Sequence, residues 1–245
     1  VAGTVVEIAG ASVAAERRIL PVPTPESRDR TVRRDHRDVD VDDALTRAER
    51  AFDERVGLVT QVGERESFPV PYYLAETADT RGFSDVRAAE FAAGVDPDWD
   101  RAFMKALGEA LERYCAGVYR ESALPLAPER TRASPVPPSR FVRPSDAATP
   151  DPDTPLRWVP GVDLATDEPV DLPAAFVYYP PPTDEYGPPI TTGLGLGNSG
   201  AEALLSGLYE VIERDATMLA WYSSFEPLEL ECSDDGYEAL VKRAR

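Results

Sequence analysis

Two glutamate pairs, each followed directly by an arginine, carry the first sign of chemistry. Leu107-Gly108-Glu109-Ala110-Leu111-Glu112-Arg113 and Leu208-Tyr209-Glu210-Val211-Ile212-Glu213-Arg214 share the pattern Leu-x-Glu-x-x-Glu-Arg. Residues three apart on a helix lie on one face, about one turn apart. Like charges at that spacing repel, so each pair calls for compensation. Arg113 and Arg214 supply part of it, and a cation between the pairs would supply more. Four carboxylates suit a hard, oxygen-liganded ion such as Mg²⁺, which is usually bound together with phosphates. One copy alone reads as an ordinary soluble, Glu-rich helix. The two copies, together with a glycine-rich loop, read as a metal–phosphate site.

That loop is Thr191-Thr192-Gly193-Leu194-Gly195-Leu196-Gly197-Asn198-Ser199-Gly200-Ala201-Glu202. Ser199-x-x-Glu202 is a capping box, which makes Ser199 the expected N-cap and Gly200 the first helical residue. Glycines ahead of a helix N-terminus let backbone N–H groups approach an anion, and the helix dipole favours negative charge there. No Gly-Lys-Ser/Thr follows, so this is not a Walker loop. The spacing of Gly193, Gly195 and Gly197 does not fit a Rossmann fingerprint. The competing reading is a tight strand or turn where another backbone comes close.

The elements that must position these groups follow from periodicity. Val41 to Arg55 reads as a helix, with Ala44, Leu45, Ala48, Ala51 and Phe52 at helical spacing. Residues 57–62 and 70–74 read as strands. Trp99 to Arg120 is a long helix that contains the first glutamate pair. Residues 125–160 are dense in proline, which suits a linker or a surface excursion within one domain. The excursion is preferred, because the two glutamate helices must meet. Arg157–Val159 and Ala174–Tyr179 read as strands. Pro180 to Pro182 and Pro188-Pro189 keep the next stretch extended. Tyr237 to Arg245 has the pattern of an amphipathic helix. Residues 1–43 are mixed and highly charged, with strands expected at Thr4–Ile8 and Arg18–Val22. They read as an N-terminal extension or the end of a preceding domain.

Composition narrows the function classes. The chain has 245 residues, a net charge of −18 and only two lysines, Lys105 and Lys242. Its length can hold one large domain or two small ones. Acidic excess with few lysines fits a protein kept soluble in high salt, where its own field is screened. The same balance argues against nonspecific nucleic-acid binding, which needs a basic patch. No apolar run is long enough to span a membrane and no signal peptide is visible, so a cytoplasmic protein is expected. Cys115 and Cys232 make no disulfide framework and read as reduced thiols. Cys115 as a nucleophile would need a base, yet the only histidine, His36, lies in a charged run that reads as a solvated loop. One histidine supports no Ser-His-Asp triad and no zinc site.

The glycine loop and its helix resemble the second nucleotide-binding segment of the YcaO domain. The matching features are Gly197-Asn198, Glu202, and Glu210 and Glu213 with Arg214. Ala106 to Tyr114 is similar to the family's first helix. Trp158 to Gly161 and Leu172 to Ala174 resemble the strand pair between the helices. Ahead of the first helix, where the family often carries a Gly-Lys-Gly-like stretch, this chain has Ala93-Gly94-Val95-Asp96-Pro97, without lysine. The resemblance runs from about Leu45 to the end. It implies a YcaO-like α+β fold, with mixed sheets, long helices and an internally duplicated helix motif. It also implies one YcaO-like domain over 44–245 that is C-terminally truncated, since the family domain continues beyond Arg245. ATP and Mg²⁺ are the implied cofactors. Glu109, Glu112, Glu210 and Glu213 would serve as Mg²⁺–phosphate carboxylates, with Asn198, Glu202 and Arg214 at the nucleotide.

Such proteins use ATP to activate a peptide backbone amide oxygen. They yield azolines by cyclodehydration, or thioamides with a sulfur donor. A peptide or protein substrate is implied, with a TfuA-like or ubiquitin-activating-like partner protein, no nucleic acid and no membrane, and a homodimer is admitted. The alternative is a non-catalytic nucleotide-binding scaffold that recruits a peptide or partner. A carboxylate-bridged metal hydrolase is a third reading, and it would need histidine or aspartate ligands that the sequence does not offer.

Overall fold

The computed structural model describes residues 37–65, 69–223 and 234–244. The strands expected at Thr4–Ile8 and Arg18–Val22, as well as His36 and Cys232, lie outside these residues. The described elements are α1 (Val41–Ala48), β1 (Val59–Glu64), β2 (Tyr72–Thr77), β3 (Phe91–Val95), α2 (Trp99–Gly117), β4 (Leu126–Pro128), β5 (Pro155–Val162), β6 (Pro169–Pro173), α3 (Gly200–Tyr222) and α4 (Asp235–Ala244). Helices and antiparallel sheets together give an α+β fold. The chain forms two compact units, one gathering residues 79–89 and 113–191, the other 37–78, 90–112 and 192 onward.

The second unit holds the sheet β1-β2-β3, with Val62 opposite Ala75 and Leu74 opposite Ala93. Its core is built largely of small side chains: Ala48, Val59, Ala75, Ala92, Ala106, Leu107 and Ala110. Small residues let a strand and a helix approach closely. At Gly94 of β3, an added Cβ would lie 2.1 Å from the Ala102 carbonyl oxygen and 2.3 Å from the Ala106 nitrogen of α2. This strand was not expected from its Ala-Gly composition, because strand propensity favours β-branched and aromatic residues. Contact with the helix decides it instead.

In the other unit the sheet β4-β5-β6 pairs Trp158 with Pro173 and Val159 with Leu172. Trp158 is fully buried and its indole N–H donates to the Ala127 carbonyl at 2.8 Å. The proline-dense stretch 125–160 thus contributes β4 and part of β5 to this unit.

Three elements depart most from the sequence reading, beyond shifts of two or three residues at other ends. The helix expected over Val41 to Arg55 ends at Ala48 and tightens into a short turn over Glu49–Ala51. Phe52 leaves it to bridge Val59, and Asp53 then accepts from the N–H groups of Arg55 and Val56. The helix expected to reach Arg120 stops at Gly117, where an added Cβ would lie 2.5 Å from that of Ala88. Ala174–Tyr179 is not a strand: Ala174–Phe176 is a 3₁₀ turn, and the strand lies just before it. Aromatic packing overrides β-propensity here. Phe176 stacks on Phe141 and Tyr178 on Tyr119, both with centroids 4.2 Å apart.

Candidate functional site

The site elements belong to the unit that contains α3. Ser199 is the N-cap of α3, and its Oγ accepts from the Glu202 N–H at 3.2 Å, as the capping box requires. The reciprocal half of the box differs. Glu202 Oε2 accepts from the N–H of Asn198, one residue before the cap, at 3.0 Å, and from Asn198 Nδ2 at 3.4 Å. Glu202 is a buried carboxylate that also receives Arg37 Nη1 at 2.6 Å. Burial alone would raise its pKa, but the hydrogen bonds from Arg37 and the Asn198 N–H outweigh that and hold it below the usual value.

The glycines of the loop are explained by packing. An added Cβ at Gly195 would lie 2.3 Å from the Ala203 carbonyl oxygen and 2.6 Å from the Gly207 nitrogen. One at Gly197 would lie 2.4 Å from the Ala203 nitrogen, and one at Gly207 2.4 Å from the Gly193 carbonyl oxygen. The Gly-x-Gly-x-Gly ribbon therefore lies backbone to backbone along the start of α3, as the close-approach reading expects. The alternate residue Leu196 reaches the other way, its Cδ2 standing 3.7 Å from the Cβ position of Gly108 on α2. One ribbon thus touches both glutamate helices.

The carboxylates are placed as follows. Glu109 Oε2 accepts from the Ala93 N–H of β3 at 2.8 Å. Glu112 is half-buried one turn further along α2. Glu210 Oε2 accepts from the Gly193 N–H at 2.9 Å, and its Oε1 pairs with Arg214 at 2.7 Å. Arg214 also donates to Thr192 Oγ1 at 3.0 Å, so it anchors the start of the ribbon. Glu213 is exposed. Arg113 belongs to the other unit, where its guanidinium sits 5.7 Å from the Tyr179 ring centre. Among the described residues, no three histidine, cysteine, aspartate or glutamate side chains gather as a metal-holding group. The pairs Asn198–Glu202 and Glu210–Arg214 are in contact.

Sequence reasoning missed Arg37 and Asp38. Arg37 meets Glu202 across a separation of 165 residues, and Asp38 hydrogen-bonds Ser199 Oγ. No local pattern marks such pairs. Lys105 of α2 reaches back to the 93–97 stretch, donating to the Val95 carbonyl at 3.1 Å and to Asp96 Oδ2 at 2.7 Å. Cys115 is a free thiol on an exposed residue, and partial desolvation of its sulfur pushes its pKa up, which disfavours the thiolate a nucleophile needs.

The family model described as YcaO cyclodehydratase, ATP- and Mg²⁺-binding, matches residues 93–245, more than half of the chain. The chain belongs to the YcaO family. It is 29% identical over 199 residues to an uncharacterized protein of Methanothermobacter thermautotrophicus, covering 75% of this chain and 48% of that protein. The structure of YcaO from Methanopyrus kandleri bound with AMPPCP and Mg²⁺ is similar, with a TM-score of 0.65 and 27% identity over 84% of this chain and 51% of that one. A heterocyclase in complex with substrate and cofactor shares the fold at a TM-score of 0.62 and 20% identity, over 85% of this chain and 31% of that one. The chain spans about half the length of the first two relatives. Among the described residues, no helix is long and apolar enough to cross a membrane.

Proposed function

We propose that this chain carries part of an enzyme that uses ATP and Mg²⁺ to activate a peptide backbone amide. The observation that carries the reading is the ribbon 193–197, which lies on α3 through its glycines and on Gly108 of α2 through Leu196. The ribbon touches α2 beside Glu109, at Gly108, and reaches α3 at Glu210, which accepts from the Gly193 N–H. Family membership supports the nucleotide and the metal.

The donor chemistry fits that pair of ligands. The candidate metal ligands are all carboxylates, the hard donors that Mg²⁺ takes. Mg²⁺ is usually held by one or two carboxylates together with substrate phosphates, so a cage of three protein ligands is not required. The first turn of α3 is open on one side, since a Cβ at Gly200 would meet nothing within 4 Å. Its dipole and end N–H groups favour a phosphate there. When bound, Mg²⁺·ATP supplies an electrophilic phosphoryl group for the amide oxygen, which converts a poor leaving group into a good one. Glu109, Glu112, Glu210 and Glu213 are the residues proposed to hold the metal. Asn198 and Arg214 orient the phosphates, while Arg214 also keeps Glu210 in place. Positioning and charge neutralisation are the main needs of phosphoryl transfer. Thioamide and azoline products share this activation and differ in the nucleophile.

The test is phosphate release from ATP with and without peptide, together with the mass of the peptide. Glu112→Gln and Glu210→Gln keep side-chain shape and remove charge. Both are expected to abolish turnover, and Glu210→Gln additionally to lose about 1 kcal/mol of stability through its bonds to Gly193 and Arg214. Turnover like that of wild type in both variants overturns the assignment. Nucleotide binding without turnover would favour the scaffold reading.

A further inference from the structure

Arg37 and Asp38 lie outside the residues matched by the family model, yet Arg37 ends on Glu202 in the first turn of α3 and Asp38 on Ser199, the N-cap that follows Asn198. Arg37 donates to one oxygen of Glu202 at 2.6 Å. The other oxygen of that carboxylate accepts from the Asn198 N–H at 3.0 Å and from its Nδ2 at 3.4 Å. Asp38 hydrogen-bonds the Ser199 hydroxyl, which itself accepts from the Glu202 N–H. The two residues therefore hold the N-cap and the first turn of α3.

The charges explain why this grip matters. The Glu202 side chain is only 8% exposed and that of Arg37 is 69% exposed. A buried carboxylate without a cationic partner is unfavourable. It would also repel the phosphates that the neighbouring helix end attracts. Pairing with Arg37 removes both penalties and leaves Glu202 ionised, so that it can accept two hydrogen bonds from Asn198. The arginine is bound through one end of a fork of five donors.

We propose that Arg37 is a positioning residue of the nucleotide site, acting through Glu202 to hold the backbone and amide of Asn198, with Asp38 holding Ser199 beside it. This inference rests on the nucleotide reading given above. It predicts that loss of Arg37 weakens nucleotide binding as well as the fold: the buried Glu202 carboxylate loses its cationic partner, while the Ser199 cap still holds the start of α3.

The experiment is a mutant cycle on the protein. Mg²⁺·AMPPCP affinity is measured by titration calorimetry, and melting temperature is measured in parallel, for wild type, Arg37→Gln, Arg37→Lys, Asp38→Asn, Glu202→Gln and the double variant Arg37→Gln/Glu202→Gln. Arg37→Gln should bind about tenfold more weakly, the size of one lost charge-assisted hydrogen bond. Arg37→Lys, which keeps the charge, should recover most of that loss. Asp38→Asn should also weaken binding. Adding Arg37→Gln to Glu202→Gln should change affinity no further. Unchanged affinity in Arg37→Gln overturns the proposal. An equal loss with and without Glu202 overturns it as well, since Arg37 would then act directly on the nucleotide. If wild type binds no Mg²⁺·AMPPCP, the nucleotide reading fails and this inference falls with it, an outcome distinct from the other two.

Discussion

Asn198 is where binding and folding can be separated in one side chain. Its amide makes only a long bond to Glu202, while its backbone N–H makes the shorter one. Asn198→Ala keeps the backbone bond and the Ser199 cap. The stability loss should stay below about 0.5 kcal/mol, as for a surface change, while ATP affinity falls. A large drop in melting temperature with unchanged affinity would make Asn198 a turn residue and nothing more. Glu202 has a pH signature of its own. Its folded pKa lies below the reference value of 4.5. A carboxyl of that kind contributes stability that is present above the unfolded pKa and lost as pH falls through the folded one. The melting-temperature gap between wild type and Glu202→Gln should therefore stay open above pH 4.5 and close below it. A gap that widened with acid would refute the ion pair with Arg37.

At the scale of elements, glycines at different places predict opposite outcomes. Gly195→Ala would drive a Cβ into the backbone of α3, at 2.3 Å from a carbonyl oxygen, where no side chain can rotate aside. The ribbon or the helix must shift, at a cost of about 3 kcal/mol. Gly108 also lies beside the ribbon, yet a Cβ there would meet only Leu196 and Met104 at 3.7 and 3.9 Å, ordinary contact distances. Gly108→Ala should gain about 1 kcal/mol from helix propensity. Denaturant titrations of the two variants check both signs. A mild effect at Gly195 would remove the packing explanation for the glycine repeat, and the phosphate explanation would then stand alone.

Over the whole molecule, charge sets the response to solvent. A net charge of −18 on 245 residues repels itself, and that repulsion is unequal in the compact and unfolded states. Raising ionic strength from about 0.1 M to about 1 M shortens the screening length from about 10 Å to about 3 Å. The melting temperature should rise by several degrees over that range in sodium chloride. A fall would show that attractive pairs such as Arg132–Asp171 and Lys105–Asp96 outweigh the net repulsion. The long helix α3 stands apart from the charge pattern: it exposes Leu204, Leu208, Tyr209 and Ile212.

What the sequence determined by itself rests on neighbours along the chain. The Ser199 cap, the start of α3 at Gly200 and the two glutamate helices follow from local spacing, and the structure has them, while the close approach at the glycine ribbon was the competing reading of that loop. The strand pair around Trp158–Gly161 and Leu172–Ala174 came through family resemblance, whereas propensity alone placed that second strand too late. Tertiary structure decided the rest. It made a strand of Phe91–Val95 because alanine and glycine let it lie against α2. It ended α1 early because Phe52 found Val59. It turned Glu202 toward Arg37, a residue far away in the chain. Each of these depends on contact between segments distant in sequence, and the free energy of such a contact is not encoded in the periodicity of either segment alone.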